Sequence, residues 1–186
     1  AGVLDTAKMP REQMDFVLAT GYGRNSLDGL ADLQMSELSC HAKGATYLFP
    51  DVHTVVDIGG QDVKVIEIEN GMMKNFVMND KCAAGTGRFY EAMARSFEMS
   101  LPEFSNLSLT AKNVIPITAQ CTVFAESEVI TLVGEGKPMD EIAAGIEMAV
   151  AKRCFVMAKK AGATDSITLT GGCAQNAGPK QALEHV

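Results

Sequence analysis

The amino-acid sequence predicts an α/β fold, and three observations support this prediction. Short apolar, β-branched runs typical of strands return along the chain after segments with helical spacing. Three of these strand-like runs follow one another closely between residues 53 and 79. A later run, "SITLTGG", is a buried-type strand that ends in glycines. Strands that alternate with helices in this order favour a mixed α/β architecture over an all-α or all-β one.

The first part of the chain is predicted to contain one strand, one helix and a three-stranded meander. "MDFVLAT" (14–20) is a short strand, and "SELSCHAKGATYLF" (36–49) is a helix with Ser36 as its N-cap and Pro50 after its end. The segments "HTVVDIG", "DVKVIEIE" and "MMKNFVMN" are three strands. The Asn70–Gly71 pair between the last two is a strong hairpin signal.

The second part of the chain is predicted to be mainly helical. The stretch "RFYEAMARSF" is a helix, and the polar stretch "LPEFSNLSLTAKN" is a short helix with loops. "VIPIT" (114–118) is predicted to be a brief strand. "TVFAESEVITLVGEG" and the long, amphipathic "MDEIAAGIEMAVAKRCFVMAKKAG" are two further helices before the strand in "SITLTGG".

Composition and charge exclude several classes of function. The 186 residues carry a formal charge of −7, which argues against nucleic acid or an anionic membrane surface as the main partner. No stretch reaches the roughly 20 uncharged apolar residues that a membrane span requires. The first residues contain no basic region followed by an apolar run, so no signal peptide is predicted and a cytoplasmic location is expected.

The cysteine pattern argues against a disulfide framework. The chain has five cysteines at wide spacings and no CxxC pair: Cys40, Cys82, Cys121, Cys154 and Cys173. Reduced thiols or metal ligands are therefore favoured, and a metal site would have to be assembled in space, for example between chains. Cys40 and Cys154 lie in helical patterns and are expected to be packing residues. Cys173 lies in a glycine turn and is expected to be partly exposed near a nucleotide.

Three glycine turns indicate a nucleotide site. In "VVDIGGQD" (55–62), glycine amides can approach phosphate oxygens while Asp57 holds Mg²⁺ through water, although the same residues could form only a tight hairpin turn. "AAGTGRF" (83–89) places small residues and backbone amides at a helix start, where anions bind. In "LTGGCAQN" (169–176), an adenine or ribose could lie against exposed backbone. The three turns together are much stronger support than any one of them.

Four stretches together carry a resemblance to a known family: "DIGGQDVKVI", "NDKCAAGTGRF", "CTVFAESEVI" and "TGGCAQN". They resemble the ATP-dependent activators of 2-hydroxyacyl-CoA dehydratases, which belong to the BadF/BadG/BcrA/BcrD ATPase family. The resemblance runs over nearly the whole chain. It implies the actin/Hsp70/sugar-kinase (ASKHA) fold, in which two related lobes hold ATP in the cleft between them.

The resemblance also implies an iron–sulfur cluster. Family members are homodimers with one [4Fe–4S] cluster at the two-fold axis, and Cys82 and Cys121 match the two ligands that each subunit supplies. A cluster of this type normally takes four thiolates, so two ligands per chain agree with a symmetric pair. Both cysteines precede predicted helices, whose positive ends would face the cluster. A nucleotide-driven lobe movement would then couple ATP hydrolysis to electron transfer under anaerobic conditions.

The remaining roles follow from the same resemblance. Asp57 and Gln61 are the implied catalytic residues, with ATP or ADP and Mg²⁺ as cofactors. The electron acceptor is a 2-hydroxyacyl-CoA dehydratase, and the donor is a reduced ferredoxin or flavodoxin. The implied nucleotide-binding residues come from all three turns: Gly59, Gly60, Gln61, Gly85, Thr86, Gly87, Gly171, Gly172, Gln175 and Asn176.

The chain departs from the family pattern at both ends. The DxGST motif that opens relatives and supplies their first phosphate loop does not occur. The chain is therefore interpreted as a fragment, with residues 1–52 as the remainder of the first lobe and 53–186 as the second lobe. Its first lobe would expose a sheet edge, which predicts poor stability or aggregation and little ATP hydrolysis in isolation.

Three alternative functions remain open from the sequence. An ATPase subunit of a benzoyl-CoA reductase would share the same motifs. A cluster-free actin-fold phosphotransferase, such as a sugar or acyl kinase, would need a catalytic Asp in the cleft. That function would not explain the presence of Cys82 and Cys121. A nucleotide-binding module without chemistry of its own is the third. Iron content separates the favoured function from the phosphotransferase.

Overall fold

A four-stranded sheet forms the centre of the molecule in a computed structural model that describes residues 6–27, 29–79, 81–118 and 121–186. The strands are β1 (Leu18–Ala19), β2 (Leu33–Gln34), β3 (Thr54–Ile58), β4 (Val63–Glu69), β5 (Met72–Asn79) and β6 (Ile167–Thr170). The central sheet has the order β5-β4-β3-β6, and β1 pairs with β2 in a separate parallel ribbon. Strands 3 to 5 form an antiparallel meander, and β6 returns to pair with β3 in parallel.

Six helices pack around the sheet in the described residues. They are α1 (Glu37–Leu48), α2 (Gly87–Ser96), α3 (Leu101–Ser108), α4 (Thr122–Gly134), α5 (Met139–Ala161) and α6 (Ala177–Glu184), with short 3₁₀ turns at Arg11–Gln13, Arg24–Leu27 and Gly172–Gln175. The predicted N-cap is confirmed, because the Ser36 hydroxyl accepts a hydrogen bond from the Ser39 amide at 3.1 Å. None of these helices is both long enough and apolar enough to span a membrane.

The period of two along the strands divides the core between the two faces of the sheet. Val56, Ile58, Val63 and Val65 pack on one face against residues of α2, α3, α4 and α5. Val55, Ile66 and Ile68 pack on the other face against Leu38, Ala42 and Ala45 of α1. The second face also carries Asp57 and Lys64, which are register partners in the β3–β4 pair. Helix α1 therefore covers the face on which these two charged side chains lie.

The predicted hairpin at Asn70–Gly71 is confirmed. Both residues have positive φ, 53° for Asn70 and 73° for Gly71, as a tight turn between twisted antiparallel strands requires. The α/β order, the meander strands and the presence of the predicted helices also agree with the prediction. The division into a first-lobe remainder (1–52) and a second lobe (53–186) stays a prediction.

One strand prediction is wrong, and a second is longer than the strand that the structure contains. Residues 114–118 form no strand, because the Ile115 amide donates to the Glu141 carbonyl of α5 and Pro116 has no amide to give to a sheet. The segment instead runs so close to α5 that a side chain at Gly145 would collide with the Ile115 carbonyl. The strand predicted for 14–20 shrinks to Leu18–Ala19, because only these two residues pair with β2.

Candidate functional site

The three glycine turns of the sequence meet at one edge of the sheet. Strands β3 and β6 are parallel neighbours, so their carboxyl ends and the turns that follow them lie side by side. Gly171 has a φ of 88°, and a methyl group on it would collide with the carbonyl oxygen of Ile58. A methyl group on Gly87 would lie 3.0 Å from the Gly60 Cα atom. Glycine is therefore required at these positions for the turns to approach one another.

Backbone hydrogen bonds join the first turn to the start of α2. The Gly59 amide donates to the Asp62 carbonyl at 2.9 Å, which closes the tight turn between β3 and β4. The amides of Gly87 and Arg88 donate to the carbonyl oxygens of Gly59 and Gly60 at 2.8 and 3.0 Å. The sequence suggested that amides at this helix start bind an anion. These two amides instead bind the carbonyl groups of the neighbouring turn.

The predicted nucleotide-binding residues differ in their access to solvent. Gly85, Thr86 and Gly87 are buried, and the Thr86 hydroxyl donates to the Ala83 carbonyl at 2.7 Å. Gly59 and Asn176 are half-buried. The exposed members come from the first and third turns: Gly60, Gln61, Gly171, Gly172 and Gln175. A ligand at this edge would therefore meet the first and third turns, with the second turn supporting them from below.

Cys173 is buried, which corrects the expectation that it would be partly exposed. Its exposed fraction is 3%, because the chain turns through the 3₁₀ segment Gly172–Gln175 and points this side chain inward. A methyl group on Gly87 would lie 3.7 Å from the Cys173 sulfur. Burial raises the pKa of this thiol to about 11. Cys173 therefore packs beneath the turns as a small apolar residue.

Asp57 lies at the end of β3 and is 6% exposed. The Thr170 hydroxyl, from the end of β6, donates to Asp57 Oδ1 at 3.0 Å. The same hydroxyl oxygen lies 2.9 Å from His41 Nε2, and His41 Nδ1 lies 3.9 Å from Asp57 Oδ2. The predicted catalytic carboxylate of β3 thus has side chains from two other elements beside it, Thr170 of β6 and His41 of α1.

Lys64 places a buried positive charge among three carboxylates. Its Nζ atom lies 2.8 Å from Asp62 Oδ1, 3.2 Å from Glu37 Oε1 and 3.6 Å from Asp57 Oδ2. Burial, the largest single influence, lowers the pKa of Lys64, but the hydrogen bonds and negative charges of the carboxylates outweigh it and the net pKa is raised. None of these partners was predicted as a site residue from sequence motifs: Lys64, Asp62, Glu37, His41 and Thr170. The pairing of Asp57 with Lys64 could have been found from the hairpin register.

The donor set around Asp57 bears on the predicted Mg²⁺ site. Within residues 6–27, 29–79, 81–118 and 121–186, no group of three or more His, Cys, Asp or Glu side chains is arranged to hold a metal ion. The Lys64 ammonium already occupies the centre of the carboxylate group. An Mg²⁺ ion at this edge would therefore have to be bound mainly by nucleotide and water, with Asp57 reaching it through water.

The two predicted cluster ligands are the cysteines next to helix starts. Cys121 is exposed and is the N-cap residue of α4. Cys82 is partly exposed and lies in the loop between β5 and α2, where its carbonyl accepts a hydrogen bond from Asn79 Nδ2 at 3.0 Å. Cys154 is buried, like Cys173. Accessibility thus separates the two predicted ligands from the two buried thiols but not from Cys40, which is half-buried within α1.

A cleft of about 590 Å³ lies between the segments that carry these two cysteines. Asn79, Ala84 and Gly85, from the loop of Cys82, line one side. Ile117 and Thr118, which precede Cys121 in the chain, also line it. Helix α5 contributes three basic side chains to the wall: Lys152, Arg153 and Lys160. Positive charge therefore borders the segments next to the predicted cluster ligands, in a chain whose net charge is negative.

A buried acid lies on the other side of α5. Glu147 is 2% exposed, and burial raises its pKa to about 8, a shift that the neighbouring Tyr90 hydroxyl partly offsets. Neither carboxylate oxygen of Glu147 has a hydrogen bond of good geometry in the described structure. A methyl group on Gly178 would lie 2.5 Å from Glu147 Oε1. Glu147 of α5 therefore lies between α2, which carries Tyr90, and α6, which follows the third glycine turn.

Comparisons with known proteins identify the family. The BadF/BadG/BcrA/BcrD ATPase family matches residues 1–186. The chain is 54% identical over 182 residues to the (R)-2-hydroxyglutaryl-CoA dehydratase activating ATPase of Acidaminococcus fermentans, covering 98% of this chain and 70% of the relative. It is 33% identical to one of the subunits of benzoyl-CoA reductase from Thauera aromatica, covering 98% of this chain and 64% of that protein.

Two solved structures have the same fold. The crystal structure of component A of the A. fermentans dehydratase matches with a TM-score of 0.90 at 54% identity, over 98% of this chain and 70% of that one. The 2-hydroxyisocaproyl-CoA dehydratase activator from Clostridium difficile, with bound ADPNP, matches with a TM-score of 0.87 at 43% identity, over 99% and 69%. The predicted actin-like α/β fold is confirmed. The chain belongs to the BadF/BadG/BcrA/BcrD ATPase family.

Proposed function

We propose that this protein is an ATP-driven electron-transfer activator of a 2-hydroxyacyl-CoA dehydratase. The observation that carries the proposal is a pair of accessible cysteines, Cys82 and Cys121, in a chain whose glycine turns converge at the end of β3. The identity of 54% to a dehydratase-activating ATPase supports the same activity. We place the protein in the cytoplasm, where thiols stay reduced.

The nucleotide would bind across the first and third turns. The exposed backbone at Gly60 and Gln61 would contact phosphate oxygens, and Gly171 and Gly172 would lie against the adenosine. Gln175 and Asn176 would add polar contacts at the same edge. Gly85, Thr86 and Gly87 would support the phosphate turn from below rather than bind the ligand directly. This assignment explains why all three turns carry glycine.

Asp57 and Gln61 would act in hydrolysis. Asp57 is fixed by Thr170 and Lys64, so its carboxylate can hold the water shell of a nucleotide-bound Mg²⁺ in one orientation. Gln61 is exposed in the turn, and its side-chain amide would orient the water that attacks the terminal phosphate. Positioning of this kind accounts for most of the catalysis in phosphoryl transfer.

Cys82 and Cys121 from two copies of the chain would hold one [4Fe–4S] cluster. The donor set fits, because each chain offers two accessible thiols in the segments that lead into α2 and α4, and such a cluster takes four. When bound, the cluster carries one electron at low potential. The N-terminus of α4, directly after Cys121, places positive helix-dipole charge beside the thiolates.

The hydrogen bonds between the first turn and α2 give a route for coupling. Gly87 and Arg88 bind the carbonyl groups of Gly59 and Gly60, so a shift of the phosphate turn would move the start of α2. The loop that carries Cys82 ends at this helix start. A change at the nucleotide would thereby reach one cluster ligand through a short run of backbone.

The dehydratase is preferred to benzoyl-CoA reductase as the acceptor. Identity is 54% to the dehydratase activator and 33% to the reductase subunit over the same 98% of the chain. The upstream donor would be a reduced ferredoxin or flavodoxin. A cluster-free phosphotransferase would leave Cys82 and Cys121 without a role.

Iron and acid-labile sulfide per chain, measured with solution mass on protein prepared without oxygen, test the proposal. We expect about two irons per chain in a dimer, and loss of iron in Cys82→Ser and in Cys121→Ser. Cys40→Ser, which removes another partly exposed thiol, is the matched control and should keep its iron. A folded wild-type chain without iron after cluster reconstitution would contradict the proposal.

A further inference from the structure

The second half of α5 presents a basic, partly apolar face to solvent. Lys152, Lys159 and Lys160 are exposed on this helix. Between them, Phe155 is 39% exposed and Val156 is 50% exposed. These five residues, here called the basic face, follow the spacing of one side of a helix. The face therefore has an apolar centre with positive charge around it.

The charges of the basic face have no carboxylate partner among the residues that the structure describes. In the part of the chain that the structure describes, none of the three lysines forms an ion pair with a carboxylate. Lys159 lies over the ring of Phe155, with its Nζ atom 4.5 Å from the ring centroid. Three concentrated positive charges stand out in a chain of net charge −7.

The basic face continues into the loop that carries Cys82. Lys152, Val156 and Lys160 line the 590 Å³ cleft together with Ala84 and Gly85. Beside them, Arg153 Nη1 donates a hydrogen bond to the Ala84 carbonyl at 2.9 Å. Ala84 is two residues from Cys82 in the chain. A molecule seated on the basic face would therefore lie next to the loop that carries a proposed cluster ligand.

We propose that the basic face is the docking site for a small redox protein with an acidic surface, which delivers the electron to the cluster. This inference rests on the proposed function. Charge complementarity speeds the encounter of such partners, and a small apolar centre with a charged rim suits a brief, specific contact. The step is a one-electron transfer: the reduced donor loses one electron, the cluster gains it, and no bond or proton changes place.

The test is the anaerobic rate of cluster reduction in the iron-loaded dimer, followed by stopped-flow absorbance. The donor is a reduced acidic flavodoxin, and the variant is Lys152→Glu/Lys160→Glu. We expect the rate to fall at least tenfold at low ionic strength, and added salt to slow the wild type far more than the variant. Lys43→Glu/Lys112→Glu makes the same change of charge at exposed positions elsewhere and should keep the wild-type rate.

A small cationic reductant separates docking from changes in the cluster itself. Reduction by methyl viologen radical cation should not be slowed in Lys152→Glu/Lys160→Glu, and its iron content should match the wild type. Slower reduction by viologen, or an unchanged rate with flavodoxin, would overturn the inference. If the variant is reduced by flavodoxin at the wild-type rate but transfers its electron to the dehydratase more slowly, the basic face binds the acceptor instead. That result would also overturn the inference. A wild type without iron would instead defeat the proposed function on which the inference rests.

Discussion

Asp57 and Lys64 face each other across the β3–β4 hairpin, with Lys64 Nζ 3.6 Å from Asp57 Oδ2. The tight turn Gly59–Asp62 fixes this pairing, because the Gly59 amide closes on the Asp62 carbonyl. Asp62 and Glu37 contact the same ammonium group. One lysine therefore balances three carboxylates at the edge where the nucleotide is proposed to bind, and the arrangement has consequences for stability.

Lys64→Met is expected to destabilise the fold. The change leaves Asp57 and Asp62 buried without their counter-charge, and the loss of one partner from a buried ionic group costs about 3–5 kcal/mol. The free energy of unfolding at pH 7, from urea denaturation, measures the effect. Because the pKa of Lys64 is raised in the folded state, its contribution is present at pH 7 and is lost only as pH rises through that raised pKa.

Lys74→Met is the matched control for this change. Lys74 also pairs with two carboxylates, Glu67 at 3.2 Å and Glu69 at 3.1 Å, but its side chain is 48% exposed. Solvent screens exposed pairs, so little change in unfolding free energy is expected. Equal destabilisation by the two substitutions would show that burial of the Asp57 group does not matter.

Gly171→Ala is expected to disturb the meeting of the turns, whereas Gly172→Ala is not. Alanine at Gly171 would have to adopt a φ of 88° and would collide with the Ile58 carbonyl, while a methyl group on Gly172 meets only open space. Strain of this kind costs about 1–3 kcal/mol. Thermal unfolding measures the stability, and calorimetric titration with ADPNP measures the nucleotide site. We expect Gly171→Ala to lower both the thermal stability and the affinity for ADPNP. Equal values for Gly171→Ala and Gly172→Ala would contradict the structure.

The fold was largely predictable from local patterns. Alternation along β4, the positive-φ pair Asn70–Gly71 and the cap at Ser36 are each determined by a few neighbouring residues. The strand predicted at 114–118 failed because its apolar residues pack against α5 rather than pair in a sheet. This packing depends on Gly145, about 30 positions further along the chain, because glycine there lets the segment around Ile115 lie close to α5.

The site was predictable only where glycine marked it. The turns at Gly59, Gly87 and Gly171 stood out because close backbone approach requires glycine. Glu37 and His41 gave no such signal, because they look like ordinary polar residues of an amphipathic helix. Only the packing of α1 over the sheet brings them to Lys64 and Asp57. Contacts between distant segments of this kind cannot be read from spacing in one sequence.

Gln61→Ala is expected to lower the kcat of ATP hydrolysis about 100-fold, by analogy with other water-positioning groups. The side chain is exposed, so the free energy of unfolding and the affinity for ADPNP should stay close to those of the wild type. Phosphate release measured in the iron-loaded protein checks the prediction, with the exposed Gln13→Ala as control. An unchanged kcat would remove Gln61 from the proposed mechanism.

Glu147→Gln is expected to change how stability depends on pH. The pKa of Glu147 is raised to about 8 in the folded state, against an ordinary value near 4.3 in the unfolded chain. The folded protein thus binds one proton more than the unfolded chain between these values, and stability falls as pH rises through the window. This group contributes a slope of up to about 1.4 kcal/mol per pH unit, which glutamine, always neutral, removes.

Urea denaturation of Glu147→Gln and the wild type at half-unit steps from pH 4 to pH 9 measures this difference. We expect the variant to gain stability relative to the wild type steadily from about pH 4.5, with the gain levelling off above the raised pKa. Glu184→Gln, an exposed change at the end of α6, should follow the wild-type curve throughout. Parallel curves for Glu147→Gln and the wild type would mean that the buried acid is already ionised at neutral pH, with a partner such as water between it and Tyr90.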